Sequence, residues 1–325
     1  LETIDYLTSD NIWQLSELPK RLLILGGGPI GCELAQCFAR LGSKVTIVEM
    51  AERLLMREDP DVSELISKQF IQDGINVLTR HTAKRFSEQH LLAEHDQQEV
   101  SIAFDQVLIA IGRAATIKGY GLEQLGVELT PKQTIAVNDF QQSNFPNIFA
   151  CGDVAGPFQF THTAAHQAWY AVVNGLFNPI KKFRTDYTAM PWATFTDPEV
   201  ARVGVNEQEA KQQNLVFELS LIQLKDLDKA ITDHEQTGFV KVLTPPGSDR
   251  ILGVSIVGAH AGDLIAEFVL AMRHRIGLRK LLGTVHIYPT MAEANKQAAG
   301  QWQRQHIPHK LLWLAERYHR WRRHT

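Results

Sequence analysis

The sequence predicts an α/β fold built on a parallel sheet covered on both faces, followed by an α+β region. Three observations carry this expectation. Arg21-Leu22-Leu23-Ile24-Leu25 is a buried-strand run that Gly26, Gly27 and Gly28 break sharply. Runs of strand and helix character then alternate as far as Ile111. Beyond Asn178-Pro179 the apolar residues recur with period two instead.

Each element follows from local chemistry. Pro29–Leu41 reads as a helix, with proline at its start and Gly42 as its stop. Lys44–Val48 is a second buried strand. Pro60–Gln72 forms the next helix, ended by Gly74, and mixed short strands lead to the run Asp105–Ile111. A Gly-rich polar stretch from Gly112 to Thr134 separates this unit from a second block. That block ends in Ile148-Phe149-Ala150-Cys151-Gly152-Asp153, and a helix over Thr163–Leu176 follows. Phe239–Leu243 and Ile251–Val257 alternate across the loop Pro245-Pro246-Gly247-Ser248-Asp249, the pattern of an antiparallel hairpin. Helix Leu264–Arg275, stopped by Gly277, is expected to pack on it.

The composition excludes several classes. With 44% apolar and 21% charged residues over 325 positions, the chain reads as globular and of two or three domains. A net charge of −3 argues against a nucleic-acid partner. No apolar run approaches the ~18 residues of a membrane span, and no signal-peptide pattern opens the chain. Three cysteines are too few for a secreted disulfide scaffold and point to a reducing, cytoplasmic setting. The chain opens at Leu1 in polar text (Thr8, Ser9, Asp10, Asn11) that reads as the tail of an earlier segment, so a longer parent is expected.

Gly26-Gly27-Gly28-Pro29-Ile30-Gly31 fits G-x-G-x-x-G between a strand and a helix. Gly26 permits the tight turn, Gly28 lets backbone approach a pyrophosphate, and Gly31 lets helix and strand pack closely. Phosphates would sit at the helix N-terminus, where free N–H groups and the dipole favour negative charge. Glu49 closes the second strand 23 positions after Gly26, placed to accept from a ribose 2′-hydroxyl and to repel a 2′-phosphate. The unit is therefore a Rossmann-like three-layer dinucleotide-binding domain for NAD(P)H, with NADH favoured. Arg53 and Arg57 lie near enough in sequence to meet a 2′-phosphate, which weighs the other way. The plainer alternative is a glycine turn that binds nothing.

At this point the sequence resembles the class I pyridine nucleotide-disulfide oxidoreductases, flavoproteins that include dihydrolipoyl dehydrogenase, glutathione reductase and mercuric reductase. The resemblance runs from about residue 5 to 300 and rests on five motifs in the family's order. They are Gly26 to Ala35, Ala110-Ile111-Gly112-Arg113, Ile148 to Asp153, Phe195 to Gly204, and His286 to Glu293. It implies the remainder of an FAD domain and an α+β dimerisation domain beside the nucleotide domain. The implied organisation is a linker over 1–19, an NAD(P)-binding domain over 20–112, the C-terminal part of an FAD domain over 113–184, a dimerisation domain over 185–303 and a basic amphipathic tail over 304–325. The first FAD segment, with its redox-active Cys-x4-Cys, would precede Leu1, so the FAD site is expected to be only partly present here.

Carried over by resemblance, Gly26, Gly28, Pro29, Ile30, Gly31, Glu49 and Gly112 would touch the nicotinamide nucleotide. Glu33 would pair with a lysine beside the flavin. Asp153 would bind the flavin's ribityl chain, and Phe160-Thr161-His162 would form the turn passing the isoalloxazine. For Asp153 the residues alone suggest a turn acid after Gly152. The family's histidine base is replaced here by Tyr288, with Glu293 as its orienting acid. Tyrosine ionises near pH 10 and is a poor proton shuttle near neutrality. That favours a mercuric reductase-like reading, with a metal or thiol-type acceptor, over dihydrolipoyl dehydrogenase, which stays as an alternative. A third reading is an inactive nucleotide-binding and dimerising fragment. No cysteine follows Cys151, so the metal-handling cysteine pair with which mercuric reductases usually end has no counterpart. His286 is a candidate replacement base, and the resemblance implies a homodimer.

Cys32 and Cys37 share the Cys-x4-Cys spacing by coincidence. Five helical positions put them about 7.5 Å apart along the axis and roughly 140° around it, too far for a disulfide. Both are expected to be core thiols. No histidine or cysteine shows metal-ligand spacing, so no metal site is expected. After Pro308 the chain reads as a short helix with Leu311, Leu314, Tyr318 and Trp321 on one face. Lys310, Arg317, Arg320, Arg322 and Arg323 stand against Glu316. Such a helix would dock on the dimer, or meet an acidic partner or membrane surface.

Overall fold

The computed structural model describes residues 4–323, apart from the side chains of residues 309–311, so the expectations placed on Lys310 and Leu311 lie outside the described residues. The chain forms two compact units, residues 1–110 with 193–325 and residues 111–192.

The first unit opens on a parallel sheet of four strands, β1 (Arg21–Leu25), β2 (Lys44–Val48), β3 (Asn76–Leu78) and a later strand, β7 (Gln106–Ile109), in the order β3-β2-β1-β7. Helices α1 (Pro29–Arg40) and α2 (Pro60–Gln72) lie on one face. There Leu22, Ile24, Val45 and Ile47 pack with Cys32, Leu34 and Ala35 of α1 and with Val62, Ile66 and Phe70 of α2. The opposite face carries Leu23, Leu25, Val48 and Val107. No helix covers it. A three-stranded antiparallel meander, β4 (Thr82–Ser87), β5 (His90–His95) and β6 (Gln98–Ala103), packs Leu91, Ala93 and Ile102 there instead. The expectation of three layers holds, but the third layer is a sheet. The strands are apolar on both faces because both are buried.

Cys37 corrects an expectation. Only Cys32 is a core thiol, whereas Cys37 is exposed, as is Cys151, and all three are free. Cys32 faces the sheet; five positions on, the helix has turned Cys37 roughly 140° away.

The second unit holds two helices, α3 (Leu122–Leu125) and α4 (Thr161–Phe177), around a small core of Ile117, Val127, Ile135, Ala150 and Ala155. Little regular structure orders its loops, and buried amides on α4 do so instead. Asn174 bonds the carbonyls of Phe140 and Phe183 and the N–H of Phe183. Gln167 accepts from the Gly152 N–H at 2.6 Å and donates to the Gly156 carbonyl at 2.6 Å.

The chain then returns to the first unit. Strands β8 (Pro191–Thr194), β9 (Glu199–Gly204), β10 (Glu218–Gln223), β11 (Phe239–Thr244) and β12 (Gly253–Gly258) form a sheet of order β10-β11-β12-β9-β8. The hairpin expected around Pro245–Asp249 is the antiparallel pair β11–β12. Interleaved with these strands are α5 (Glu207–Gln212) and α6 (Asp228–Asp233). Helix α7 spans Ala261–Arg273, beginning three residues before and ending two before the expected Leu264–Arg275. Helices α8 (Leu278–Leu282), α9 (Glu293–Gln305) and α10 (His309–Arg322) complete the chain. Among the described residues no helix is long and apolar enough to cross a membrane.

Two polar systems join the segment around the start of α2 to this antiparallel sheet. Lys241 on β11 is 1% exposed, with its Nζ 3.2 Å from Asp59, 2.6 Å from Asp61 and 2.8 Å from Glu207. Burial alone would lower its pKa, but the bonds to Asp61 and Glu207 and the charges of Asp59 and Asp61 outweigh that and hold it above the usual lysine value. Beside it Arg202, also 1% exposed, meets Glu209 at 2.7 Å and Glu58 at 3.5 Å.

Candidate functional site

Gly26 leaves β1 at φ +107°, in the region that disfavours a β-carbon. A β-carbon on Gly31 would lie 2.0 Å from the Gly26 carbonyl oxygen, so α1 starts this close to the turn only with glycine there. On Gly28 a β-carbon would meet nothing within 4 Å, which leaves open space above the backbone. Pro29 occupies the first turn of α1, where its missing N–H has no helical partner to lose, and Ile30 follows it. The result is an open backbone cradle at the positive end of a 12-residue helix. It fits a pyrophosphate.

Glu49 is tied to that cradle. One carboxylate oxygen accepts from the Gly27 N–H at 2.6 Å and the other from the Ala51 N–H at 2.7 Å. Each oxygen keeps a lone pair for ribose hydroxyls. Arg53, which the sequence offered as a phosphate contact, is turned inward with its side chain 15% exposed. Its guanidinium meets Glu52 at 2.6 Å and bonds Gln208 and the Met56 carbonyl. Arg57 is exposed. Sequence reasoning missed Arg80, whose N–H donates to Ala51 and which sets a cation beside the Glu49 end of the sheet. Its only sequence signal is a charge after a short strand.

The same helix fixes Glu33. Glu33, Gln36 and Arg40 share one face of α1 by their spacing, and all three grip the segment Phe195–Asp197. Glu33 accepts from the Phe195 N–H at 2.8 Å, Gln36 both donates to and accepts from the Asp197 backbone, and Arg40 meets the Asp197 carboxylate at 2.6 Å. Burial raises the Glu33 pKa above the usual glutamate range, partly offset by the Phe195 amide. Burial likewise pushes the Cys32 thiol far up, so it is no nucleophile.

Tyr288 is 67% exposed, and its hydroxyl donates to Asp228 at 2.9 Å. That bond, the Asp228 charge and the nearby Glu293 hold the phenol above its ordinary pKa. Glu293 caps its own turn, accepting from the Thr290 N–H at 3.4 Å. His286 does not face outward as a free base. One ring nitrogen lies 2.9 Å from Glu267 and the other 3.1 Å from the Thr284 carbonyl, while Asn295 holds the second Glu267 oxygen. Asp228 and Glu267 lie 60 and 19 residues away in sequence, which hid both pairings.

The second unit carries the remaining candidates. Gly112 has φ +142° and open space at its α-carbon. Asp153 lies 3.8 Å from Arg113. Phe160 is the residue before α4, and Thr161 and His162, expected in a turn, lie in the helix's first turn, because α4 begins two residues before the expected Thr163. The Phe160 ring stacks on His162 and Trp192, with centroids 5.2 and 6.4 Å away. Among the described residues no group of three or more His, Cys, Asp or Glu side chains could hold a metal ion.

A family model described as pyridine nucleotide-disulphide oxidoreductase matches residues 1–168, and the dimerisation domain of the same family matches residues 190–299. Among curated relatives, a dihydrolipoyl dehydrogenase of Chlamydia pneumoniae is 36% identical over 298 residues, covering 90% of this chain and 63% of that protein. A mercuric reductase of Lysinibacillus sphaericus is 36% identical over 304 residues, covering 92% of this chain and 55% of that protein. The chain thus spans between about half and two thirds of these relatives' length. Among solved structures, the HOCl-induced flavoprotein disulfide reductase RclA from Escherichia coli superposes with a TM-score of 0.81 at 27% identity, covering 91% of this chain and 68% of that one.

Proposed function

The chain belongs to the pyridine nucleotide-disulphide oxidoreductase family, and from that premise we propose that it supplies the NADH-binding and dimer-forming part of a flavin-dependent NAD(P)H oxidoreductase. One observation carries the reading: an open glycine cradle at a helix N-terminus, closed by a carboxylate hydrogen-bonded to the cradle itself. When bound, the nicotinamide would supply a hydride and FAD would carry its electrons on toward an acceptor.

This chain's residues divide the remaining work. Gly26, Gly28, Gly31 and the first turn of α1 bind the pyrophosphate, and Glu49 takes the ribose hydroxyls. The Glu49 charge and the inward turn of Arg53 support NADH over NADPH, and Arg80, the cation beside the Glu49 end of the sheet, weighs the other way. Glu33, anchored by Phe195, offers its free oxygen to a cation beside the flavin. Asp153 and the Phe160-Thr161-His162 stack line the part of the FAD site that lies in residues 113–184. Free thiols at Cys32, Cys37 and Cys151 suit a reducing, cytoplasmic setting.

The acceptor reading rests on Tyr288. A phenol held protonated by Asp228 donates a hydrogen bond but moves no proton near pH 7, and His286 is committed to Glu267. A metal ion, whose reduction needs no protonated thiol leaving group, suits that arrangement better than lipoamide or glutathione disulfide. The Tyr288–Glu293 segment would complete the site of a second copy in a homodimer. The test is NADH oxidation by a flavin-loaded, full-length protein with Hg(II), Cu(II), lipoamide and glutathione disulfide. Metal turnover should lead; lipoamide turnover rivalling it would overturn the use made of Tyr288.

A further inference from the structure

The family match ends at residue 299, and α10 follows it as a separate basic helix. Leu314, Tyr318 and Trp321 recur at i, i+4 and i+7, which aligns them on one stripe. They are 55%, 52% and 61% exposed. At about 100° per residue, Arg317 and Arg322 border the stripe on its two sides, while Arg320 and Arg323 lie on the far face. Glu316, the single acid of the helix, is already paired with Arg320. The Arg317 guanidinium lies 4.7 Å over the Trp313 ring, a cation–π contact that holds the charge beside the indole.

We propose that α10 is an interfacial helix that lays its Leu314–Tyr318–Trp321 stripe on an anionic phospholipid surface. The charge balance points to the partner: four arginines against one acid leave the helix net positive, and Arg317 and Arg322 stand where headgroups would flank an immersed stripe. The aromatics point to the depth. Trp313, Tyr318 and Trp321 each pair an apolar body with a polar edge, the chemistry of the headgroup boundary rather than of a dry core. At 14 residues the helix is roughly 21 Å long, enough to lie along the surface and too short to span it. The proposal is independent of which acceptor the redox site serves.

The test is co-sedimentation of the whole chain with phosphatidylcholine vesicles, with and without about 30% phosphatidylglycerol, at about 0.1 M salt, read beside tryptophan emission. Binding should require the anionic lipid, shift the emission to the blue and weaken with salt. Arg317→Gln, Arg320→Gln and Arg322→Gln together should weaken it about a hundredfold, at roughly fivefold per charge. Leu314→Gln with Trp321→Gln should weaken it at unchanged charge. Deleting residues 308–323 should abolish it while leaving the thermal unfolding of the remainder in place. Equal binding to neutral vesicles, or binding that survives the deletion, would overturn the proposal. So would duplex DNA binding that ignores Leu314→Gln, or a deletion that splits an oligomer and leaves vesicle binding unchanged.

Discussion

Replacing Lys241 with methionine keeps the length and apolar stem of the side chain and removes only the ammonium. That group is the shared partner of Asp59, Asp61 and Glu207, and Asp59 is itself 1% exposed. Asp59 would keep the N–H groups of Glu207 and Gln208 at 3.3 and 3.0 Å, but of the three carboxylates only Glu207 would retain a cation, Lys211 at 3.6 Å. Breaking a buried pair from one side costs about 3–5 kcal/mol, since the surviving charge loses its compensation. For a unit of this size that lowers Tm by roughly 6–20 °C. Calorimetry at pH 7 reads the shift directly. The alkaline limb supplies a second test with a defined sign. Because the folded-state pKa of Lys241 is raised, its stabilisation is whole below the ordinary lysine value of about 10.4 and is lost as pH rises through the higher one. The wild type should therefore lose more stability than Lys241→Met on going from neutral pH past about pH 10. A Tm within about 2 °C of wild type, or parallel alkaline losses, would refute the idea that this cage secures the start of α2 to the antiparallel sheet.

Three further outcomes follow from the sites. Gly31→Ala should lower both NADH affinity, by tenfold or more (~1.4 kcal/mol), and stability, because its β-carbon would stand 2.0 Å from the Gly26 carbonyl; titration and thermal melts check this. Glu33 has a raised folded pKa, so its carboxylate destabilises increasingly as pH climbs from the ordinary glutamate value through the raised one. Glu33→Gln, which keeps an acceptor for Phe195, should flatten that slope and gain stability at pH 7 but not below about pH 4, as melts across the range would show. Asp228→Asn should bring the Tyr288 ionisation back down toward its ordinary value, visible as an earlier phenolate absorbance step that Tyr288→Phe removes.

Much of this was legible in the sequence where one residue type serves one local need. The glycine loop, the strand–helix alternation and the β11–β12 hairpin each depend on neighbours a few positions away. What escaped depends on distance. The β4–β6 meander alternates weakly and is rich in charge, so nothing local marks Leu91, Ala93 and Ile102 as the cover of the sheet's second face. Lys241 sits mid-strand between Val240 and Val242 and reads as an outward polar position until Asp59 and Glu207 arrive from elsewhere in the chain. Arg53 read as a phosphate ligand by proximity to Glu49, yet Gln208, 155 residues on, claims it. Cys37 read as core because a free cysteine is usually buried; its side of the helix faces away from the sheet.

Calorimetric titration of the chain with NADH and then NADPH tests the central claim most directly. The cradle closed by Glu49 predicts saturable NADH binding, weaker NADPH binding, and a narrowing of that gap in Glu49→Gln, where the carboxylate's repulsion of a 2′-phosphate is gone. Absence of NADH binding by the folded chain, or NADPH binding as tight as NADH with Glu49 intact, would contradict it.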